Sequence, residues 1–170
     1  MRNVTNEELE QLVEEARQYT YQGKVSEYIP ALSLADKNHL SVAIAYPDGS
    51  MFTAGNVHET FTLQSITKVI VLALALMDRG EEYVFQRVGM EPTGDPFNSI
   101  VKLETHTPSK PFNPMINAGA IAVTSMIKGD SVDERINRIL DLFRKLVGNS
   151  AVDYNRDVAF SELATADLNR

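Results

Sequence analysis

Nine consecutive apolar residues, Val69 to Met77, set the first limit on what this chain can fold into. They lie in a stretch from Leu63 to Arg79 that holds no proline or glycine, with Gly80 directly after it, so the stretch reads as one helix. From Val69 onward that helix is apolar almost all the way round, and such a helix is expected to be buried on every side. Nine apolar residues fall far short of the roughly 20 that cross a bilayer. The run therefore calls for a protein interior, and the rest of the chain has to supply the layers around it. With 170 residues, 44% hydrophobic and 23% charged, the chain is long enough to do so as a single domain over residues 1–170.

Those layers can be read along the chain. Thr5 and Glu8 have the spacing of a capping box, and Leu9, Leu12, Val13 and Ala16 follow as one helical stripe, with Gly23 as the expected stop. Val25 to Pro30 reads as a loop. His39 to Tyr46 and Ser50 to Ala54 flank Pro47-Asp48-Gly49, the signature of an antiparallel hairpin. Glu91 to Pro114 carries five prolines and reads as a long loop. Ile116 to Ile127, rich in small residues, reads as a helix that can approach a neighbour closely. Ser131 and Glu134 suggest a second capping box before an amphipathic helix (Ile136, Ile139, Leu140, Phe143, Val147) that stops at Gly148. A short helix is expected near the end.

Several function classes are disfavoured. The net charge is −7 with no clustered basic face, against a nucleic-acid binder. There is no cysteine, so thiolate nucleophiles, disulfides and cysteine-held zinc are excluded. His39, His58 and His106 show no metal-ligand spacing, and Glu7, Glu8, Glu14 and Glu15 read as a solvated helix face. The opening MRNVTNEELEQ is acidic and lacks an apolar leader core, so the expected setting is cytoplasmic, with no membrane partner.

The chemistry-bearing pattern is Ser65-Ile-Thr-Lys68, an S-x-x-K sequence. Three residues apart on a helix share a face, so a lysine amine can reach the serine hydroxyl, and a helix start supplies free N–H groups where an oxyanion would form. The spacing alone selects little, because Ser99–Lys102 and Ser125–Lys128 match it too. Only Ser65 opens the apolar helix. Lys68 either snorkels to solvent or is partly buried; burial would lower its pKa and favour a basic amine. Asn117 reads either as a helix N-cap after Pro114 or as a ligand-binding amide.

Four blocks then carry a resemblance: Glu27-Tyr-Ile-Pro30, Phe61-Thr-Leu-Gln-Ser-Ile-Thr-Lys68, Glu91-Pro-Thr-Gly-Asp-Pro-Phe-Asn98 and Lys110-Pro-Phe-Asn-Pro-Met-Ile-Asn-Ala-Gly119. Together they resemble the serine-dependent glutaminase family. The resemblance implies an α+β fold like that of β-lactamases and DD-peptidases, with helices packed on a small antiparallel sheet and the C-terminal portion of the domain absent from these 170 residues. It implies hydrolysis of L-glutamine to L-glutamate and ammonia without metal or organic cofactor. Residue by residue it makes Ser65 the nucleophile, Lys68 its base and Tyr28 a site tyrosine that helps relay protons. Gln64, Asn117, Glu162 and Asn169 are its substrate-binding residues; Thr67 stands where the family more often has serine, and Leu168 makes the local pattern at Asn169 less familiar.

Two other readings stay open. One is a non-catalytic fragment or assembly partner, whose hairpin edge and apolar helices a second copy or another chain would cover; a homo-oligomer is the expected assembly. The other is a β-lactam-reactive relative, which shares Ser65 and Lys68 but has no need of Asn117 or Glu162.

Overall fold

The computed structural model describes residues 4–94, 96 and 110–164. The chain divides into two compact units: Met1–Thr62 with Asn155–Arg170, and Leu63–Tyr154.

The first unit begins as its sequence dictates. Thr5 caps helix α1 (Asn6–Arg17) through a complete capping box: Glu8 N–H donates to Thr5 Oγ1 at 3.1 Å, and Thr5 N–H to the Glu8 carboxylate at 2.9 Å. The helix stops at Arg17, earlier than Gly23, because Thr20–Gln22 tighten into a three-ten turn that Gly23 ends. Strands β1 (Ser41–Ala45) and β2 (Met51–Gly55) pair antiparallel with Val42 opposite Ala54 and Ile44 opposite Phe52. The Asp48 carboxylate stabilises the turn between them by accepting from Ser50 N–H.

One stripe of α1 lies on this hairpin. Leu9 and Val13 bury against Ala54, with Val4, Leu40, Val42, Ile44 and Phe52 around them; Leu12 and Ala16, the other half of the expected stripe, stay exposed. The outward N–H groups of β2 are met as well, Thr53 by Asn6 Oδ1 and Gly55 by the Glu10 carboxylate, both at 3.0 Å. The β2 edge is thus covered by α1. Helix α6 (Arg156–Leu163) packs on the three-ten turn Pro30–Leu34, where Ser161 Oγ accepts from Ala31 N–H at 2.9 Å.

The second unit is helical. Here α2 (Thr67–Arg79), α3 (Glu81–Arg87), α4 (Asn117–Ser125) and α5 (Val132–Val147) surround a core of Val71, Leu74, Ala75, Val84, Val88, Val123, Met126 and Ile127. Gly80, at φ 82°, separates α2 from α3, a helix not foreseen from the sequence. The expectation that α2 is buried all round does not hold among the described residues. Its neighbours cover one face, whereas Val69 and Met77 remain 57% and 71% exposed. The second capping box is half formed: Ser131 Oγ accepts from Glu134 N–H, but the Glu134 carboxylate reaches Asp130 N–H instead of Ser131.

The far end of α2 is fixed by a polar clamp. The Asp78 side chain, 6% exposed, takes both guanidinium branches of Arg138 and the N–H of Lys128. Arg79 donates to the Met126 carbonyl. A carboxylate withdrawn from water this far needs such donors, and the hydrogen bonds from Arg138 hold its pKa below the usual value of 3.8.

Two outcomes test this packing. Ile127, 1% exposed, sits in the core, so Ile127→Ala should lower the unfolding free energy by about 2–5 kcal/mol in urea titrations. Because the folded pKa of Asp78 is depressed, its contribution is present above the unfolded pKa and is lost as pH falls through the folded value. Between about pH 7 and pH 3 the wild type should therefore lose more stability than Asp78→Asn.

Candidate active site

The site residues of the second unit gather where α2 begins. Leu63 leads into a three-ten turn, Gln64–Ile66, and only then does the α-helix start at Thr67. The expected single helix from Leu63 thus opens with a three-ten turn that runs directly into α2. Gln64, with a φ of 47°, is the only non-glycine with positive φ among the described residues. That conformation costs about 1–2 kcal/mol for a residue with a Cβ. It turns the chain sharply just before Ser65 and leaves the serine exposed. The three-ten turn continues with Ile66 N–H donating to the Leu63 carbonyl and Thr67 Oγ1 to the Gln64 carbonyl.

Lys68 follows Ser65 by three residues, in the first turn of α2. Its side chain is half-buried. Nζ donates to Asn117 Oδ1 at 2.8 Å and to the Met115 carbonyl at 2.9 Å. Burial moves the amine's pKa below the usual lysine value of 10.5, so more of it is neutral near pH 7 than for a surface lysine. Of the two readings of Lys68, the half-buried side chain fits partial burial.

The N-cap reading of Asn117 does not hold. Ile116, in extended backbone, is the N-cap of α4, and Asn117 is the first helical residue. Its side chain is turned to Lys68. The small residues expected to permit close approach do so at Gly119, where a Cβ would strike the Asn113 carbonyl. α4 can therefore start directly over Asn113, which brings Asn117 within reach of the lysine.

Tyr28 and Glu162 belong to the first unit, where the Ala31–Ser161 hydrogen bond lays the segments that carry them side by side. Asn169 lies outside the described residues, as do Ser99 and Lys102 of the second S-x-x-K sequence and most of the Glu91–Pro114 loop. In the third S-x-x-K sequence, Ser125 Oγ donates to the Ala122 carbonyl at 2.7 Å, an ordinary helical back-bond. No group of three or more metal-ligating side chains occurs among the described residues. Residues missed from the sequence are Met115, which acts through its backbone carbonyl, and Asn113, whose part is local geometry.

An exposed serine at the mouth of a helix, with a half-buried amine one turn on, suits acyl transfer through a serine ester. The chain belongs to the glutaminase family. A family model described as Glutaminase matches residues 23–170. The chain is 62% identical to a glutaminase of Shouchella clausii over 98% of its own length and 54% of the relative's. It is 59% identical to one of Geobacillus thermodenitrificans over 96% and 53%. Among solved structures, a probable glutaminase of Bacillus subtilis superposes with a TM-score of 0.84 at 38% identity, covering 96% of this chain and 49% of that one. A B. subtilis probable glutaminase complexed with 6-diazo-5-oxo-L-norleucine gives 0.83 at 34% identity, over 99% and 50%. The chain thus spans about half the length of the curated relatives it matches. Among the described residues no helix is long and apolar enough to cross a membrane.

The close approach at Gly119 yields a direct test. Gly119→Ala should destabilise the protein by about 1–3 kcal/mol, since the obstacle is backbone. Gly94→Ala meets nothing within 4 Å among the described residues and should stay within about 0.5 kcal/mol of wild type in the same urea titration.

Proposed function

We propose that this chain carries the nucleophile and base of a serine amidohydrolase that converts L-glutamine to L-glutamate and ammonia. The observation that supports it most is the partly desolvated Lys68 amine, held by Asn117 Oδ1 and the Met115 carbonyl one turn after Ser65. Ser65 attacks the side-chain carboxamide carbon while Lys68 accepts its proton. The amine then returns the proton to the departing ammonia, and water hydrolyses the γ-glutamyl ester. No metal or organic cofactor is required by these steps.

Asn117 has a double part in this reading. Its Oδ1 is used on Lys68, which leaves its Nδ2 donors for the amino-acid end of glutamine. The family resemblance assigns Gln64 to the substrate pocket, Tyr28 to proton relay, Glu162 to the substrate ammonium and Asn169 to its carboxylate. It also carries the β-lactamase-like architecture and makes both units parts of one catalytic domain; the family match, which runs through both units, supports the latter. The diazoketone held by the Bacillus relative has a glutamine-like carbon skeleton, which favours the same ligand class here. Exposed Ile66, Val69 and Met77 support assembly into a homo-oligomer.

Ammonia release from glutamine tests the reading. Ser65→Ala and Lys68→Ala should each cost at least about 10³-fold in kcat. Equal rates in wild type and Ser65→Ala would remove Ser65 from the chemistry, and no ammonia from the wild-type chain would favour the non-catalytic alternative. Because the neutral amine is the active form, kcat/KM should rise with pH through a midpoint below the usual lysine value of 10.5.

A further inference from the structure

The Met115 carbonyl and the Asn117 amide hold the same amine, yet they are two residues apart at a helix entrance and nothing intrinsic to that entrance points both at Lys68. The turn that aims them is organised by one side chain. Asn113 Oδ1 accepts from Met115 N–H at 2.9 Å and from Ile116 N–H at 3.2 Å, while its Nδ2 donates to the Glu91 carbonyl at 2.9 Å. The segment before it is anchored in parallel: Gly89 N–H donates to the Pro111 carbonyl and Glu91 N–H to the Phe112 carbonyl. The Asn113 carbonyl lies under Gly119, in the first turns of α4. Both ends of the Asn113 amide are thus engaged, one on the turn and one on the neighbouring segment.

We propose that Asn113 is a positioning residue for Lys68: by capping the Pro114–Ile116 turn and tying it to Glu91, it aims the Met115 carbonyl and the Asn117 side chain at the lysine amine. Asparagine suits this role because its short amide closes an Asx-turn with its oxygen and still has two donors to spend elsewhere. Alanine keeps neither function. Serine keeps a weaker acceptor for the turn and loses the tie to Glu91. The catalytic consequence rests on the Ser65–Lys68 reading above; the positioning itself does not depend on turnover.

The test therefore reads Lys68 directly. In the 170-residue chain carrying isotope-labelled lysine, the side-chain NMR signal of Lys68, assigned by its loss in Lys68→Arg, is followed against pH. Loosening the turn readmits water to the amine, so Asn113→Ala should raise the Lys68 midpoint toward the ordinary lysine value by roughly half a unit or more. Asn113→Ser should raise it by a smaller amount, and the other lysines should not move. An unmoved Lys68 midpoint in folded Asn113→Ala overturns the proposal. Should Asn113→Ala not fold, Asn113→Ser decides alone, an upward shift supporting the proposal and an unmoved midpoint overturning it. A shift at Lys68 together with equal ammonia release by wild type and Ser65→Ala would uphold the positioning and sink the catalytic reading.

Discussion

The half-buried Lys68 amine donates to acceptors at a second helix entrance, and that contact ties the second unit together at one end. The amine sits at the start of α2 and its two described acceptors sit at the start of α4, so one pair of hydrogen bonds registers the two helix entrances against each other. Neither acceptor is a carboxylate. A carboxylate would favour the ammonium and raise the pKa, whereas an amide oxygen and a carbonyl satisfy the donors with only partial charge. Burial then has the larger effect, and the amine is left with its pKa lowered.

Hydrogen bonds to Lys68 would mean little if α2 could slide, and the far end of the helix is fixed by a different chemistry. There Asp78 is a full charge inside the fold, matched by the Arg138 guanidinium and the Lys128 N–H. Arg138 also donates to the Lys128 carbonyl, so the connection between α4 and α5 is gripped from both sides. Between the two ends lie Val71, Leu74 and Ala75, packed on Val123, Met126 and Ile127. Charge pairing secures this end of α2, and at the other end the two described hydrogen bonds of Lys68 run to neutral acceptors. Among the described residues, the one non-glycine with a left-handed backbone is Gln64, at that end and next to exposed Ser65.

Much of this was legible in the sequence where a local rule sufficed. The Thr5–Glu8 capping box, the Pro47-Asp48-Gly49 hairpin and the glycine stops at Gly80 and Gly148 need only near neighbours, and they form as read. What failed were features set by distant neighbours. The exposure of Val69 and Met77 depends on which helices pack on α2, not on its own composition. Glu134 chose Asp130 over Ser131 by loop geometry, and α3 carries too short a pattern to stand out. At the site, Ser65 and Lys68 were singled out by the apolar helix behind them and by the family blocks, since their spacing alone occurs three times. Asn117 showed as a suspicious amide, but its direction was hidden, because Asn113 and Gly119 decide it. The Met115 carbonyl left no signal, for every residue carries one.

The account stands or falls on Ser65 being the reactive hydroxyl that this arrangement serves. The most direct measurement is covalent: the chain is incubated with 6-diazo-5-oxo-L-norleucine, the glutamine-like diazoketone seen with the Bacillus relative, and the modified residue is located by peptide mass mapping. The account predicts one adduct, on Ser65, lost when Lys68 is replaced by methionine. An adduct on Ser99 or Ser125, undiminished labelling without Lys68, or no labelling at all would contradict it.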